Sequence, residues 1–243
     1  MELAEKELKI KTPDKKFIYG TLGKAKKRAN TLVVFVHGFT GNPNEHIFFN
    51  GSKLFAEKGL DTFRFHLYGA EKKNDRHFRE TSISQHGSDI TTVARFFRNK
   101  YKKIFVVGHS YGGTSLLFTD QNFIDGYVFW DASYVNSRNA MEYMRFNKKL
   151  NAYVLDWGVE YIVGRKFMKE LKSFPDCGEL IRKIKKPVLF ITAGNKANSK
   201  DGPKYLKRAN SPKKLLNIKT ADHCFNNWKD EERLLNETYN WLK

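Results

Sequence analysis

A serine between two glycines is the residue of this 243-residue sequence best placed to act as a nucleophile. Ser110 lies between Gly108 and Gly112, after the apolar stretch 104–107 and before the helix-compatible stretch 114–118. The pattern Gly-x-Ser-x-Gly predicts a strained strand-to-helix turn, in which the positions two before and two after the serine have no room for a side chain. Such a turn holds the hydroxyl above the sheet, where the N-terminus of the next helix favours negative charge.

A second glycine-containing loop follows an earlier buried strand at 31–36. We name residues 37–41, with the pattern His-Gly-x-x-Gly, the oxyanion loop. Its glycines tolerate close approach and unusual dihedral angles, so the loop can turn backbone N–H groups toward the serine. The predicted donors to a developing oxyanion are the backbone N–H groups of Phe39 and of Tyr111, the residue after the serine. His37 is predicted to hold this loop in place rather than to take part in the chemistry.

A histidine near the C-terminus is the candidate general base. Residues 214–220 alternate like a strand, His223 follows in a loop, and a terminal helix ends near residue 243. Its position after the serine in the chain fits the order nucleophile, acid, base. Cys224 is interpreted as a packed small residue and not as a rival nucleophile, because adjacent residues do not normally point their side chains in the same direction.

The loops at 37–41, 108–113 and 221–225 together resemble those of α/β-hydrolases of the serine esterase and lipase type. The likeness is to small bacterial carboxylesterases, including the cinnamoyl (feruloyl) esterases, and to the related serine aminopeptidase-like group. It implies a mostly parallel central sheet with helices on both faces and a helical cap inserted before the penultimate strand. It also implies hydrolysis of a small-molecule ester through an acyl-enzyme, with no cofactor and no metal.

The order of elements agrees with this fold, because strands alternating with helices form a parallel sheet that is covered on both faces. We expect one domain over residues 1–243, with 134–186 as the inserted cap; we name this range the cap segment. Its pattern is helical and rich in aromatic residues and methionine. Met144 and Trp157 are expected to line an adaptable apolar substrate pocket. The alternative is that these side chains form only the core of the cap.

The acid that should orient the histidine is the least determined member of the site. Most relatives carry it shortly after the strand that is 187–193 here, but this sequence has Asn198 in that region. Asparagine can hold an imidazole but cannot stabilise the imidazolium. Asp201 follows, where a helix-capping role explains it, and Asp131 directly follows the strand ending at Trp130, where some lipases carry the acid. We predict Asp131, with Asp201 as the alternative and a dyad assisted by Asn198 or water as the third arrangement.

Composition sets further bounds. Hydrophobic residues make up 40% of the chain, enough for one globular core, and no run is long enough to span a membrane. The net charge of +18 comes mainly from scattered lysines, which indicates a solvated surface or attraction to anionic partners such as an acidic substrate. No nucleic-acid motif is present. The charged N-terminus and only two cysteines favour a cytoplasmic protein without a disulfide framework.

Three other functions remain open on these residues. One is a serine peptidase for short peptides, in which Glu142, Glu160 or Glu170 of the cap segment would bind a substrate amino terminus. A second is a thioesterase or acyltransferase that uses the same triad. The third is a non-catalytic binding protein, favoured only by the absence of an acid at the usual position.

Overall fold

The computed structural model describes residues 4–69, 76–135, 143–156, 159–194 and 197–243, with backbone only at 197–198. The strands are Ala4–Lys11 (β1), Phe17–Lys24 (β2), Thr31–Val36 (β3), Asp61–Phe65 (β4), Lys103–His109 (β5), Gly126–Trp130 (β6), Met144–Asn147 (β7), Ala152–Asp156 (β8), Glu160–Val163 (β9), Val188–Ala193 (β10) and Lys213–Ile218 (β11). The α-helices are His46–Glu57 (α1), Ile83–Phe97 (α2), Tyr111–Leu116 (α3), Arg165–Lys172 (α4), Cys177–Lys183 (α5), Asp201–Arg208 (α6) and Trp228–Leu242 (α7).

Eight of the strands form one sheet in the order β1-β2-β4-β3-β5-β6-β10-β11. The pairs β1–β2 and β2–β4 are antiparallel, and all other pairs in this sheet are parallel. The carboxyl ends of β3, β5, β6, β10 and β11 therefore lie along one edge. In open α/β sheets ligands bind at this edge, and the candidate site residues, with the alternative acids included, follow these five strands in the chain.

Both faces of the sheet are buried, which explains why its central strands are continuously apolar. In β3, Leu32 and Val34 pack into one core and Val33 and Phe35 into the other. The first core includes side chains of α2, and the second those of α1 and α7. Each fully buried large apolar side chain stabilises the fold by about 1.5–3 kcal/mol relative to exposure.

The segment between β6 and β10 lies where the cap was expected, but the expectation that it is helical was wrong for the strands that it contains between residues 144 and 163. Strands β7, β8 and β9 form a three-stranded antiparallel sheet of their own, and α4 and α5 follow them in the chain. The turn between β7 and β8 closes through Asn147, whose side chain accepts the Leu150 N–H at 3.1 Å, and through Asn151 at φ 47°. Aromatic and β-branched residues at 153–154 and 161–163 favour strands, an effect that outweighs the helical spacing.

Within the described ranges, no helix is both long enough and apolar enough to cross a membrane. Cys177 is buried, Cys224 is exposed, and neither forms a disulfide bond.

Candidate active site

The turn that carries Ser110 requires its glycines for steric reasons. Ser110 has φ 53° and ψ −120°, a strained conformation that places it between β5 and α3. A Cβ at Gly108 would lie 2.6 Å from the backbone carbon of Gly112, and a Cβ at Gly112 would lie 2.6 Å from the carbonyl oxygen of His37. The end of β5, the start of α3 and the end of β3 therefore meet backbone to backbone. The Ser110 N–H donates to the carbonyl oxygen of Trp130 at 2.9 Å, which ties the turn to β6.

Ser110, His223 and Asp131 form a continuous hydrogen-bonded chain. The distance from Ser110 Oγ to His223 Nε2 is 3.0 Å, and the distance from His223 Nδ1 to Asp131 Oδ2 is 2.6 Å. An ionised carboxylate only accepts hydrogen bonds, so Nδ1–H donates to Asp131 and Nε2 accepts the serine hydroxyl. The His223 side chain is 40% exposed and that of Asp131 is 3% exposed. A buried acid thus orients a base that solvent and substrate can reach.

Asp131 is held by the neighbouring strand β10. Its N–H donates to the carbonyl oxygen of Ile191 at 2.7 Å, and its Oδ1 accepts the Ala193 N–H at 3.0 Å. The residue itself has φ 37°, in the left-handed region. With Oδ1 engaged by β10, Oδ2 is directed at the imidazole of His223.

Asp201 lies elsewhere in the fold. It is the first residue of α6, where its Oδ2 accepts the Tyr134 N–H at 2.9 Å and its Oδ1 pairs with Lys204 Nζ at 2.8 Å. These contacts account for the aspartate without His223. The side chain of Asn198 lies outside the described residues. Of the two aspartates considered, Asp131 is the one that is hydrogen-bonded to the imidazole of His223.

The loop that carries His223, residues 221–226, is fixed by two side chains that the sequence did not single out for this task. Asp222 Oδ1 accepts the N–H groups of Cys224 at 3.0 Å and Asn226 at 3.1 Å. His109 Nε2–H donates to the carbonyl oxygen of His223 at 2.8 Å. Burial lowers the pKa of His109 to about 4, so this imidazole is neutral near pH 7. The one sequence signal for its role is its place directly before the nucleophile.

His37 holds the oxyanion loop, in line with its predicted role. Its Nδ1–H donates to the carbonyl oxygen of Gly38 at 2.8 Å, and its Nε2 accepts the Leu67 N–H at 3.1 Å. Burial lowers its pKa to about 4, which suits a neutral ring that donates from one nitrogen and accepts on the other. The loop is thereby tied to the chain just beyond β4.

The two predicted oxyanion donors flank Ser110. A Cβ at Gly38 would lie 3.4 Å from Ser110 Cβ, so the backbone that leads into Phe39 runs directly beside the nucleophile. Tyr111 is the first residue of α3, where backbone N–H groups have no acceptor within the helix. The rings of Phe39 and Tyr111 pack with centroids 5.3 Å apart. This arrangement suits stabilisation of negative charge on a substrate oxygen.

A cavity of about 310 Å³ opens beside Ser110 and His223. This volume is at the small end of the range for small-molecule sites, about 300–1,000 Å³. Its walls are the oxyanion loop, the start of α1 and the loop after β11, and the lining residues are 38–41, 45–47, His109, Ser110, His223, Cys224 and Asn226.

The cap segment reaches the site through a residue other than the two predicted. Met144 packs at the edge of the main core and is not part of the cavity lining, and Trp157 lies outside the described residues. Phe167 of α4 instead contacts the rings of Phe39 and Tyr111, with centroids 5.8 and 6.1 Å apart. The role predicted for Met144 and Trp157 stays a prediction.

Two of the glutamates proposed for a peptidase, Glu160 and Glu170, are among the described residues and do not line the cavity beside Ser110. Glu170 Oε1 accepts the Ser84 N–H at 2.8 Å, and Glu160 is exposed at the start of β9. Glu142 lies outside the described residues. In the part of the chain that the structure describes, no group of three or more His, Cys, Asp or Glu residues could hold a metal ion.

Comparison with known proteins agrees with this geometry. Residues 26–118 match the family model described as "Putative serine esterase (DUF676)", a stretch that contains the oxyanion loop and Ser110 and ends before Asp131 and His223. No curated protein sequence matches the chain.

Solved structures of similar fold cover nearly the whole chain. Est1E from Butyrivibrio proteoclasticus, solved with ferulic acid bound, is 18% identical with a TM-score of 0.82 over 97% of both chains. The esterase domain of a Rhodothermus marinus protein is 17% identical, with a TM-score of 0.75 over 98% of this chain and 97% of that chain. Dienelactone hydrolase from Anabaena variabilis is 16% identical, with a TM-score of 0.69 over 99% and 97%.

The fold is therefore the α/β-hydrolase fold. The family match, which includes the nucleophile turn, is to a model described as a putative serine esterase.

Proposed function

We propose that this chain hydrolyses carboxylic esters through an acyl-enzyme on Ser110. The observation that carries the proposal is the hydrogen-bonded chain from Ser110 Oγ through His223 to Asp131, at 3.0 and 2.6 Å. In the first step Ser110 Oγ attacks the ester carbonyl carbon while His223 Nε2 takes the hydroxyl proton. The bond from that carbon to the alcohol oxygen then breaks, and His223 gives the proton to the departing alcohol.

Water completes the cycle on the same residues. His223 takes a proton from water as its oxygen attacks the acyl carbon, and the carboxylic acid leaves as Ser110 Oγ regains its proton. Asp131 keeps Nδ1 protonated and stabilises the imidazolium that forms in each half-reaction. The backbone N–H groups of Phe39 and Tyr111 stabilise the oxyanion, and one such donor typically contributes about 10²–10³ in kcat.

The substrate proposed is a small molecule, in keeping with the cavity of about 310 Å³. The net charge of +18 favours the approach of an anionic ester. No Lys or Arg is among the described residues that line the cavity, so this charge is proposed to act on encounter and not on the bond that breaks. The two cysteines without a disulfide bond fit a reducing compartment such as the cytoplasm.

The acyl group is proposed to lie on the side of the cap segment, which forms one domain with the sheet. Phe167 supports this placement, because its ring packs on both oxyanion-donor residues. The hydrogen-bonded triad disfavours a non-catalytic binding protein, and Glu170 is engaged by a backbone N–H rather than presented to a peptide. A thioesterase or acyltransferase would use the same residues, and substrate choice separates these activities.

The test is a substrate panel with a nucleophile control. Purified protein is assayed with p-nitrophenyl acetate, butyrate and octanoate, with an acyl thioester of matched chain length and with aminoacyl p-nitroanilides, beside Ser110→Ala. We expect the highest kcat/KM on an oxygen ester and no turnover by the variant above background. A higher kcat/KM on the thioester or the anilides, or turnover by Ser110→Ala, contradicts the proposal.

A further inference from the structure

A half-buried carboxylate lines the cavity beside Ser110 and His223. Glu45 directly precedes α1, and its Oε1 accepts the Asn42 N–H at 2.9 Å. Among the described residues, no Lys or Arg forms an ion pair with Glu45 and no group donates to its Oε2. This is unusual in a chain with 44 Lys and Arg residues against 26 Asp and Glu. A carboxylate in this position loses hydration without gaining a cationic partner from the protein.

The groups around Glu45 do not cancel its charge. The imidazoles of His46 and His223 act electrostatically on Glu45, and the phenol of Tyr68 is coupled to it as well. His46 Nδ1 lies 3.1 Å from Glu231 Oε1, so a second carboxylate already engages that ring. Burial, followed by the charges of Asp222 and Glu45, raises the pKa of the Cys224 thiol on the neighbouring wall. The described side chains that line the cavity thus include one carboxylate and no Lys or Arg, although the chain as a whole is strongly positive.

The chemistry of the triad tells which part of an ester lies against this wall. His223 must return its proton to the leaving alcohol, so the alcohol oxygen lies next to Nε2. Cys224, Asn226, Glu45 and His46 line the same cavity as His223. An alcohol part held beside Nε2 therefore shares this cavity with Glu45, whereas the acyl part leaves the carbonyl carbon in another direction. A peptide amino terminus would lie on the acyl side, away from this carboxylate.

We infer that Glu45 binds a cationic group, an alkylammonium, on the alcohol part of the substrate. The inference rests on the proposed function, because it assigns the leaving group of the same reaction. Long-range repulsion by the lysines does not prevent it, since at physiological salt the charges are screened beyond about 8 Å. Within the cavity the nearest fixed charge decides, and that charge is negative.

The experiment compares two esters of the same shape that differ in charge. Butyrylcholine and 3,3-dimethylbutyl butyrate are assayed at 0.15 M ionic strength with the unaltered protein, Glu45→Gln and Glu57→Gln. Glu57 is exposed at the far end of the same helix, so its variant removes the same charge away from the cavity. Glutamine at 45 keeps an acceptor for the Asn42 N–H. We expect a kcat/KM preference of about fivefold for the cationic ester, as for a partly shielded ion pair, lost in Glu45→Gln and kept in Glu57→Gln.

Hydrolysis of the neutral ester without a preference for the cationic one, or a preference that survives Glu45→Gln, overturns the inference and leaves the proposed function standing. Failure to hydrolyse either ester counts against the proposed function, and binding then decides the inference. Choline and 3,3-dimethylbutan-1-ol are titrated into Ser110→Ala and followed by amide NMR shifts of residues 38–47. Tighter binding of choline that weakens in Ser110→Ala/Glu45→Gln supports the inference, and equal binding of the two alcohols contradicts it.

Discussion

The two sides of Ser110 are built differently. On the cap side, rings are packed against one another with centroids 4.9–6.2 Å apart, and they belong to Phe39, Phe78, Tyr111 and Phe167. On the side of α1 lies the open cavity of about 310 Å³, whose wall includes Glu45, His46 and Asn226. The first side is apolar and filled, and the second is open and carries polar side chains beside its apolar ones.

This difference indicates that the acyl part and the alcohol part of an ester are selected by different features of the site. A packed aromatic cluster discriminates by shape, because any added volume must displace side chains that already fill the space. An open polar wall discriminates by charge and hydrogen bonding, because its groups are still partly hydrated. We therefore expect acyl selectivity to follow packing changes and alcohol selectivity to follow charge changes.

The largest effect is expected at the residue where the two sides meet. Ser110→Ala should lower kcat by about 10⁶, as in comparable serine hydrolases, because the acyl-enzyme cannot form. The variant should keep the thermal midpoint of the unaltered protein, since the hydroxyl is replaced without changing the backbone. Esterase assays and differential scanning fluorimetry check both points. An active, folded variant would show that Ser110 is not the nucleophile.

The next effect separates the two aspartates. Asp131→Asn should lower kcat by about 10⁴, because an amide cannot stabilise the imidazolium. Asp201→Asn is the matched control and should keep kcat within about threefold, since its carboxylate contacts Tyr134 and Lys204 instead of His223. The measurement is kcat on the best ester from the panel, with circular dichroism to verify folding. A larger loss in Asp201→Asn than in Asp131→Asn would reverse the assignment of the acid.

A third prediction concerns the buried histidines beneath the site. Burial lowers the pKa of His109 to about 4, whereas an unfolded histidine titrates near 6.5. Between these values the unfolded chain binds a proton that the folded chain does not. The contribution of neutral His109 to the free energy of unfolding is therefore fully present above pH 6.5. It is lost as the pH falls toward 4, by on the order of 3 kcal/mol in all.

Urea unfolding at pH 7.5, 6.5 and 5.5 checks this titration. The free energy of unfolding should fall with pH, and the fall should be shallower in His109→Asn. His77→Asn, at an exposed position, is the control and should keep the slope of the unaltered protein. Equal slopes for all three proteins would show that His109 is not buried in its neutral form.

The fourth prediction tests the packed side directly. Phe167→Leu should change the ratio of kcat/KM between butyrate and octanoate esters by about tenfold, because it opens space against the oxyanion-donor residues. Met144→Ala should change the same ratio by about threefold or less, because Met144 lies at the edge of the core. If Met144→Ala has the greater effect, the acyl group reaches farther into the cap segment than the ring contacts indicate.

The smallest effect is expected from the lysine excess. Raising salt from 0.05 to 0.5 M should lower kcat/KM about threefold for an anionic ester and leave that of a neutral ester of equal size unchanged, because only the long-range encounter is screened. Stopped assays of a succinate half-ester and its methyl-capped form measure this. Equal salt dependence of the two would assign the lysines to solvation alone.

Much of the site followed from the sequence because its motifs describe backbone geometry. Close backbone contacts leave no room for a side chain at Gly108 or Gly112. Such a requirement is visible in the local sequence pattern around the serine. The fold followed from the alternation of buried strands with helices, and the two-sided burial of β3 shows why those strands are continuously apolar. Asp131 was predicted from its position at a strand end, and the structure places it on the imidazole.

The features of the site that the sequence did not predict depend on contacts between segments that are far apart in the chain. The hydrogen bond from His109 to the loop of His223 joins residues 114 positions apart, and no local pattern encodes it. Phe167 and Glu45 owe their places to how α4 and α1 pack around the nucleophile, which periodicity does not specify. Strands β7, β8 and β9 of the cap segment formed a sheet because their aromatic and β-branched residues favour strands despite helical spacing.

Mapping the covalent adduct of a fluorophosphonate probe tests the central claim most directly. The unaltered protein and Ser110→Ala are incubated with the probe, digested, and analysed by tandem mass spectrometry. We predict one adduct per chain, on the peptide that contains Ser110, and none in the variant. An adduct on Cys224 or on another serine, or an unlabelled protein that still hydrolyses esters, would contradict the account.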